Sequence, residues 1–407
     1  MSIVAGPRSG SAFRFTDYTV ILVGTDDAAE ISVSEDAALS RFHCRLEISP
    51  PVCRLVDLSS QTGTFVNGEP VSERELVNGD QISVGSTEIQ IAVAGLDRTA
   101  DMMSCDEIAS TIIKSSPQIP GYELTEEIGT GALGCVYRAK RIEDGLDVAV
   151  KVVRPGRSHS DDHLRLFVRE ISILSQLAHP RIVRYHECGR ANDTLFFVMD
   201  LVRNVCLDQI LQGQSPASRV RIPCGIIVNI LEALQYAHEH SLVHRDVKPE
   251  NILITRSRKR VKGLLADFGL AKNFELAGIS GITPSGAIRG TIPYMAPEQL
   301  LNARHATPSC DVYSAAATLY RYLSGQVPFP GDSLSELYHC VLEEAPIPIQ
   351  ELVPHVPTRL AEVIHRALCK DPRDRFPSAE SFQEVLLQFT QRSAYSDADT
   401  SPPLASG

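Results

Sequence analysis

The fold is decided by eight residues near the middle of the chain, His244-Arg-Asp-Val-Lys-Pro-Glu-Asn251. Asp246 can accept a proton from an incoming hydroxyl group, and Lys248, two positions later, can neutralise a moving phosphoryl group. Asn251, five positions after Asp246, can hold a divalent cation through its amide oxygen. This spacing indicates a phosphoryl-transfer site. The alternative is a polar surface loop with the same short string, and the motifs on either side argue against it.

A glycine-rich turn lies upstream of this loop, in Gly129-Thr-Gly131-Ala-Leu-Gly134-Cys-Val136. Glycines let backbone amides approach phosphate oxygens because no Cβ stands in the way. A dinucleotide-binding fold uses similar glycines but continues into a helix. Here a second strand-like run follows, and then Val148-Ala-Val-Lys151 on the next predicted strand. The pattern predicts a phosphate-covering turn between two strands, with a lysine on the third.

Two further motifs follow the central loop. Leu264-Leu-Ala-Asp267-Phe-Gly269 places an aspartate after a predicted buried strand, and Gly290-Thr-Ile-Pro-Tyr-Met-Ala296-Pro-Glu298 comes later. In this order the motifs resemble those of the eukaryotic-type (Hanks) Ser/Thr protein kinases. The resemblance implies an α+β bilobal kinase domain at residues 121–390. Its small lobe is expected at residues 121–199 and its large lobe at 203–390.

The resemblance also implies roles for single residues. Asp246 orients the substrate hydroxyl and takes its proton, while Lys248 offsets charge. Lys151 reaches the α and β phosphates, and Glu170, on a helix predicted between residues 161 and 178, pairs with Lys151. Asn251 and Asp267 are the expected ligands of Mg²⁺ or Mn²⁺. The expected ATP-binding residues are Ile128, Gly129, Gly131, Gly134, Val136, Ala149, Lys151, Met199, Asp200 and Val202.

The large lobe is expected to contain two polar anchors and one long helix. By resemblance, Asp311 braces the catalytic loop and Arg375 pairs with Glu298. Apolar residues at helical spacing predict an amphipathic helix over residues 222–240, leading into the loop. Lys248 with Thr291 in reach indicates transfer of the ATP γ-phosphoryl group to Ser or Thr, including autophosphorylation. The candidate phosphorylation sites of the segment before Ala296 are Ser280, Thr283, Ser285 and Thr291, with Thr283 and Ser285 preferred.

Residues 1–95 predict an all-β sandwich, because short apolar runs alternate with Asn-Gly turns at Asn67 and Asn78. The segments at residues 40–43, 57–68 and 76–85 resemble forkhead-associated (FHA) domains in order and spacing. That family binds phosphothreonine through its loops. The candidate phosphopeptide residues carried over are Ser40, Arg41, Thr62 and Gly63, with His43 expected to brace the loops.

Two departures from the FHA pattern concern the phosphate itself. The family's Gly-Arg is Gly24-Thr25 here, and its peptide-binding asparagine is Thr62. Residues 1–95 also contain 13 Asp and Glu against six Arg and no Lys, a balance that repels a phosphate dianion. Two interpretations stay open: a phosphothreonine-binding domain, or a domain that docks within the chain or onto a substrate without phosphate affinity.

Bulk properties set the remaining expectations. A length of 407 residues predicts two or three domains, with a linker at residues 96–120 and a disordered tail at 391–407. The net charge of −11 argues against a nucleic-acid partner. No run of eighteen apolar residues and no basic-then-apolar amino terminus occurs, so we expect no membrane span and a cytoplasmic location. The ten cysteines show no metal-binding or disulfide spacing and are expected to be reduced.

Two other functions compete with a kinase. A pseudokinase scaffold would have lost one of Lys151, Asp246 and Asp267, and all three are present. A phosphopeptide adaptor would depend on the first domain, where the phosphate-binding arginine is absent. Protein substrates with Ser or Thr hydroxyls are therefore the expected partners.

Overall fold

The computed structural model describes residues 1–15, 19–26, 29–49, 52–92, 117–131, 134–153, 177–191, 194–257, 260–268, 290–301 and 306–391. These residues form two compact units. The first contains the described residues up to 153 together with Tyr185–Leu201. The second contains residues 177–184 and those from 202 onward.

The described residues of the first domain form ten strands and no helix, which confirms the predicted all-β sandwich. They are β1 (Ser2–Ala5), β2 (Thr19–Gly24), β3 (Ile31–Ser32), β4 (Cys44–Ser49), β5 (Val52–Asp57), β6 (Thr64–Val66), β7 (Glu69–Val71), β8 (Glu73–Leu76), β9 (Gln81–Val84) and β10 (Thr87–Gln90). They form two five-stranded sheets, of order β1-β10-β9-β6-β7 and β3-β2-β4-β5-β8. Neighbouring strands are antiparallel except β2 and β3.

The two sheets of this domain enclose one apolar core. Ile82 and Val84 from one sheet and Leu46 and Leu55 from the other are fully buried in the same cluster. Alternate residues of β9 face outward, which is the period of two expected of a half-buried strand. The predicted Asn67-Gly68 turn joins β6 to β7 with φ angles of 52° and 83°, the two positive values that a type I′ hairpin requires.

A five-stranded antiparallel sheet follows in the chain. Its strands are β11 (Tyr122–Gly131), β12 (Gly134–Arg141), β13 (Asp147–Val153), β14 (Tyr185–Ala191) and β15 (Thr194–Asp200), in the order β11-β12-β13-β15-β14. Val148, Val150 and Val152 of β13 point into the apolar core of this sheet. Because side chains alternate along a strand, Ala149 and Lys151 lie on the opposite face.

In its described residues the second unit is mostly helical and contains one hairpin. The hairpin pairs β16 (Ile252–Ser257) with β17 (Arg260–Leu265). The helices are α1 (Leu207–Leu211), α2 (Pro216–Glu239), α3 (Pro297–Leu301), α4 (Pro308–Ser324), α5 (Leu334–Glu343), α6 (Ile349–Leu352), α7 (Thr358–Ala367) and α8 (Ala379–Leu387). Helix α2 packs against β17, α4 and α8, and so forms the centre of this unit.

Helix α2 begins earlier than the sequence pattern predicts. Its first residue is Pro216, six residues before the predicted start at Ile222. Ser215 caps the helix by accepting a hydrogen bond from the Ser218 N–H, and Pro216 occupies the first turn, where a proline is tolerated. The predicted start was wrong because it followed the apolar pattern, which begins after the first two turns, and Pro223 lies inside the helix as its eighth residue.

Within the described residues, α2 is the single helix whose length and composition would allow it to cross a membrane. Of its most apolar stretch, 61% is buried inside the protein. Packing within the second unit therefore accounts for the apolar character of this helix.

Candidate active site

The catalytic loop is anchored by the buried carboxylate of Asp311, at the start of α4. This carboxylate accepts hydrogen bonds from the backbone N–H groups of His244 and Arg245, both at 2.8 Å. The Nε2 atom of His238 donates a third at 2.8 Å. Burial alone would raise the pKa of Asp311, but these bonds lower it below its ordinary value. The predicted brace is confirmed, and it is an ionised one.

His244 ties the loop to the strand that precedes Asp267. Its Nε2–H donates to the carbonyl oxygen of Ala266 at 3.0 Å, and its Nδ1 accepts the N–H of Asp246 at 3.3 Å. Burial lowers the pKa of this imidazole, which fits a neutral ring with one donor and one acceptor nitrogen. The ring packs against Phe268, with centroids 4.7 Å apart. The backbone around Asp246 is therefore fixed from two sides.

The Asp246 carboxylate stands at the centre of the predicted catalytic residues. Asn251 Nδ2 donates to the Asp246 backbone oxygen at 2.7 Å and to its Oδ2 at 2.9 Å. Lys248 Nζ lies 3.0 Å from the same Oδ2 and donates to Thr291 Oγ1 at 2.9 Å. The structure thus brings together four residues that the sequence assigns to one site.

The two candidate metal ligands are held close to each other by backbone bonding. The N–H of Ala266 donates to the carbonyl oxygen of Asn251 at 2.9 Å, and Asp267 is the next residue. Both bonds from the Asn251 side-chain amide to Asp246 use its nitrogen, which leaves the amide oxygen as the ligand atom. A carboxylate and an amide oxygen are hard donors of the kind that Mg²⁺ and Mn²⁺ prefer.

These donors fit a cation that is shared with a phosphate-bearing substrate. No group of three or more His, Cys, Asp or Glu side chains placed to hold a metal occurs in the described part of the chain. Mg²⁺ is usually held by one or two carboxylates together with water and substrate phosphates. A site built on Asp267 and Asn251 has this incomplete protein ligand set.

Two residues of this region adopt left-handed backbone conformations without being glycine. The φ angle is 66° at Arg245 and 55° at Asp267. Such residues cost roughly 1–3 kcal/mol each and persist where the surroundings over-determine them. Arg245 immediately precedes the catalytic aspartate and Asp267 is a candidate metal ligand, so both left-handed residues lie at the candidate site.

Four predicted ATP-binding residues share one face of the small-lobe sheet. Val136 lies opposite Lys151, and Ala149 lies opposite Met199. Directly opposed residues of an antiparallel pair have the same orientation. Because residues 149 and 151 also share a face, these four side chains form a single surface with a lysine on it.

The glycines of the phosphate-covering turn differ in what they require. Gly134 has a φ of 154°, and a Cβ there would lie 1.9 Å from the carbonyl oxygen of Val152. At Gly129, opposite Val136, a Cβ would only come into ordinary van der Waals contact with the Val136 Cβ, at 3.9 Å. Gly131 pairs with Gly134 across the turn. The close approach of β13 is therefore enough to require glycine at position 134. This requirement is independent of any role of Gly134 in binding phosphate.

The remaining candidate residues have other positions. Ile128 on β11 is 45% exposed. The Asp200 side chain bonds His186 Nε2 at 2.8 Å, while Val202 is half-buried at the start of the second unit. Glu170, its predicted helix, and the candidate phosphorylation sites Ser280, Thr283 and Ser285 lie outside the described residues.

The second predicted anchor is also present. The Arg375 guanidinium, fully buried, donates to both carboxylate oxygens of Glu298, at 2.7 and 2.8 Å. It donates further to the backbone oxygens of Cys369 and Lys370. This bidentate ion pair fixes the segment that contains Thr291 onto the helical unit.

Sequence reasoning missed two supporting residues. His238 is the third hydrogen-bond donor to the Asp311 carboxylate. Gln299, buried in α3, donates from Nε2 to the Arg245 carbonyl at 3.0 Å and accepts the Ala296 N–H at 3.2 Å. Both are single polar residues within helices, and a helical pattern alone does not distinguish them from surface residues.

His43 holds the candidate phosphopeptide loops of the first domain together. Its Nδ1 accepts the N–H of Ser40 at 3.2 Å, and its Nε2–H donates to the Gly63 carbonyl at 3.1 Å. The side chain is fully buried, and burial lowers the pKa of the imidazole. The predicted bracing role is confirmed.

Ser40 and Thr62 lie on these loops, but their hydroxyls already bond the protein. Ser40 Oγ accepts the N–H of Gln61 at 2.9 Å, and Thr62 Oγ1 donates to Ala38 at 2.9 Å. The Arg41 guanidinium binds the Asp26 carboxylate at 2.6 Å. A Cβ on Gly24 would lie 2.1 Å from the Arg41 carbonyl, so this glycine is demanded by the close approach of the two loops.

Comparison with known proteins agrees with both parts of the structure. The sequence model described as the protein kinase domain matches residues 122–387, and the FHA domain model matches residues 21–85. The kinase PkaA of Streptomyces coelicolor is 35% identical over 276 residues, which is 65% of this chain and 49% of that protein. PknB of Mycolicibacterium smegmatis is 35% identical over 273 residues, or 66% and 42% of the two chains. This chain thus spans less than half the length of either relative.

Solved structures similar to the chain include the following two. A crystal structure of Rad53 in complex with AMP-PNP has a TM-score of 0.53 at 24% identity and covers 94% of this chain and 96% of that one. This similarity concerns the fold alone. The kinase domain of Mycobacterium tuberculosis PknI, a double mutant, has a TM-score of 0.50 at 27% identity over 69% of this chain and 99% of that one. The motifs of this chain, their geometry and the matches show that it belongs to the protein kinase family and carries an FHA domain ahead of its kinase domain.

Proposed function

We propose that the protein transfers the γ-phosphoryl group of ATP to Ser and Thr hydroxyls of proteins. The observation that carries the proposal is the contact of Lys248 Nζ with both Asp246 Oδ2 and Thr291 Oγ1, at 3.0 and 2.9 Å. These contacts bring together a carboxylate base (Asp246), a positively charged side chain (Lys248) and the hydroxyl group of Thr291. This is the arrangement that in-line transfer to an alcohol needs.

Each residue has a separate task in this proposal. Asp246 orients the acceptor hydroxyl and takes its proton, and the hydrogen bonds from Asn251 hold the carboxylate in place. Lys248 offsets the negative charge that develops between the acceptor and the departing phosphate. Lys151 binds the α and β phosphates, with Glu170 as its proposed ion-pair partner. No covalent enzyme intermediate is required.

ATP and a divalent cation are the proposed cofactors. Asn251 and Asp267 hold the cation, and their oxygen donors fit Mg²⁺ and also Mn²⁺. When bound, the cation offsets the charge of the phosphate oxygens. Ile128, Gly129, Gly131, Gly134, Asp200 and Val202 complete the proposed ATP contacts with the four residues of the small-lobe surface.

The test is incubation of the full chain with labelled ATP and Mg²⁺ or Mn²⁺, with a generic protein substrate. Labelled Ser and Thr residues on the substrate and on the chain are then mapped by mass spectrometry. We expect label on both. The variant Asp246→Asn should lose roughly 10²- to 10⁴-fold in rate, the range for removal of a general base, while nucleotide binding persists. If both proteins bind ATP and neither transfers phosphate, the pseudokinase scaffold is correct instead.

Phosphorylation between Gly269 and Ala296 is proposed to activate the enzyme. Arg245 adjoins the catalytic aspartate, and a phosphate on Thr283 or Ser285 would form charge-assisted bonds with it. Thr291 is the less suitable site because its hydroxyl accepts the bond from Lys248. Full activity in protein that carries no phosphate on this segment would contradict the proposal.

The first domain is proposed to dock within the chain or onto a substrate, with weak phosphothreonine affinity. The ion pair between Arg41 and Asp26 supports this, because it engages the guanidinium of the residue that follows Ser40 in the chain. We further propose boundaries at residues 95, 120 and 390 and a cytoplasmic location. All nine cysteines of the described residues are free thiols, as expected in a reducing compartment.

A further inference from the structure

A large pocket lies in the second unit beside the catalytic loop. Its volume is about 900 Å³, at the upper end of the roughly 300–1,000 Å³ common for ligand pockets. Its walls come from α1, the first turn of α2, the end of α4 and the residues after α6. Pro249 and Ile252, on either side of Asn251, belong to the wall that adjoins the catalytic loop in the chain. We call this cavity the α1–α4 pocket.

The charge of the α1–α4 pocket is opposite to that of the whole chain. The chain has a net charge of −11. The pocket is lined by Arg219, Arg321 and His355 and by one acid, Asp208. Within the described residues, neither arginine forms an ion pair or a side-chain hydrogen bond. Two guanidinium groups without an ion-pair partner in a concave site favour an anionic ligand. A guanidinium group can bind a carboxylate in a bidentate manner, through two parallel hydrogen bonds.

One wall of the pocket, at Pro249, is close in the chain to Asp246, beside which the acceptor hydroxyl must lie. Pro249 follows Asp246 by three positions, so the chain between them spans at most about 11 Å. An extended peptide covers that distance in roughly three residues. Arg321 is near the Thr291 segment as well. Tyr294 belongs to that segment, and its pKa is raised to about 12, first by burial and then by the negative charge of the exposed Glu250. The positive charge of Arg321 is close enough to lower the same pKa.

We propose that the α1–α4 pocket selects protein substrates with an Asp or Glu about three residues or more from the phosphorylated Ser or Thr, and that Arg219 and Arg321 bind its carboxylate. This proposal rests on the proposed kinase activity and assigns the substrate class of that site. Arg219 and Arg321 are specificity-determining residues in it. Neither takes part in the transfer step.

The chain itself supplies a suitable probe. Residues 101–109, Asp-Met-Met-Ser-Cys-Asp-Glu-Ile-Ala, contain one acceptor, Ser104, with Asp101 three residues before it and Glu107 three residues after it. The matched neutral peptide carries Asp101→Asn, Asp106→Asn and Glu107→Gln. A third peptide has lysine at the same three positions.

The full chain should phosphorylate the acidic peptide with a kcat/KM at least tenfold above that of the neutral peptide, and the lysine peptide most slowly. The double variant Arg219→Glu with Arg321→Glu should reverse this order. The control Arg359→Glu makes the same change at an exposed arginine outside the pocket and should retain the order. Equal rates for the three peptides, or no change of order in the double variant, would overturn the proposal.

Failure of the kinase proposal gives a different result. In that case none of the peptides is phosphorylated, and fluorescence anisotropy of the labelled acidic peptide decides the pocket proposal. Binding that is lost in the double variant and kept in Arg359→Glu supports the α1–α4 pocket. Absence of binding, or binding unaffected by the double variant, rejects it.

Discussion

The Nζ atom of Lys248 donates to Oγ1 of Thr291 at 2.9 Å, across 43 positions of sequence. Replacing Thr291 by Val preserves shape but removes the acceptor. A hydrogen bond to a charged group contributes about 1.5–3 kcal/mol, so we expect kcat/KM to fall by roughly 10- to 150-fold at 1.4 kcal/mol per tenfold. Thr291→Ser keeps the hydroxyl and should retain most of the activity. Equal losses in steady-state assays of both variants would show that the methyl group matters and the hydrogen bond does not.

The ion pair of Glu298 with Arg375 should stabilise the fold strongly. Removal of one partner from a buried pair leaves an uncompensated charge and costs about 3–5 kcal/mol. Arg375→Ala should therefore shift urea unfolding of the full chain to clearly lower denaturant. Arg373→Ala is the matched control, since Arg373 pairs with Asp371 two positions away but is 87% exposed. That variant should unfold like the parent, and equal sensitivity of the two would contradict the assigned role of burial.

Acid should destabilise the first domain through His43. Burial lowers the pKa of this imidazole below the ordinary 6.5, so the folded domain keeps it neutral. As the pH falls through about 6.5, the unfolded chain binds the proton first, and stability falls by up to about 1.4 kcal/mol per pH unit. The stability that the neutral His43 contributes is therefore present above about pH 6.5 and is lost as the pH falls below that value.

Calorimetry of the full chain at pH 7.5 and 5.5 measures this effect. The unfolding midpoint should fall with pH in the parent, and His43→Gln should reduce the pH dependence because its side chain does not titrate. The exposed His355 provides the control variant His355→Gln, which should behave as the parent does. An unchanged pH dependence in His43→Gln would exclude His43 as the titrating group.

The first domain should bind phosphothreonine peptides with a dissociation constant no lower than about 100 µM. The N–H of Thr25 donates to the Ser40 carbonyl, so an arginine at position 25 would start beside the candidate phosphate site. Thr25→Arg should strengthen binding about ten- to a hundredfold by adding a charged hydrogen bond. Thr25→Gln, of similar length without charge, should not. Titration calorimetry of the full chain against phosphorylated and unphosphorylated peptides tests this, and low-micromolar binding by the parent would contradict it.

The part of the site that could be predicted is the part encoded by short spacings. Asp246, Lys248 and Asn251 lie within six residues, and a single tight loop brings them together. The Asp311 and Arg375 anchors were predictable because the motif order identified them. The strands and the Asn67-Gly68 turn followed from apolar alternation and turn chemistry.

The contacts that escaped prediction depend on tertiary packing. Gln299 meets the Arg245 carbonyl only because α3 lies against the catalytic loop, and no local pattern marks its burial. The ion pair of Arg41, a candidate phosphopeptide residue, with Asp26 likewise depends on how two loops meet. The pocket arginines, Arg219 and Arg321, are likewise 102 positions apart in sequence and share one cavity only in the folded unit.

The anchoring of the catalytic loop by Asp311 has a consequence for synthesis of the protein. Asp311 follows His244 by 67 positions, and without it two buried N–H groups of the loop have no acceptor. A growing polypeptide that stops short of Asp311 therefore carries Asp246, Lys248 and Asn251 but cannot hold them in register. The loop can be ordered only once Asp311 has been synthesised, so we expect a product that terminates before Asp311 to be inactive.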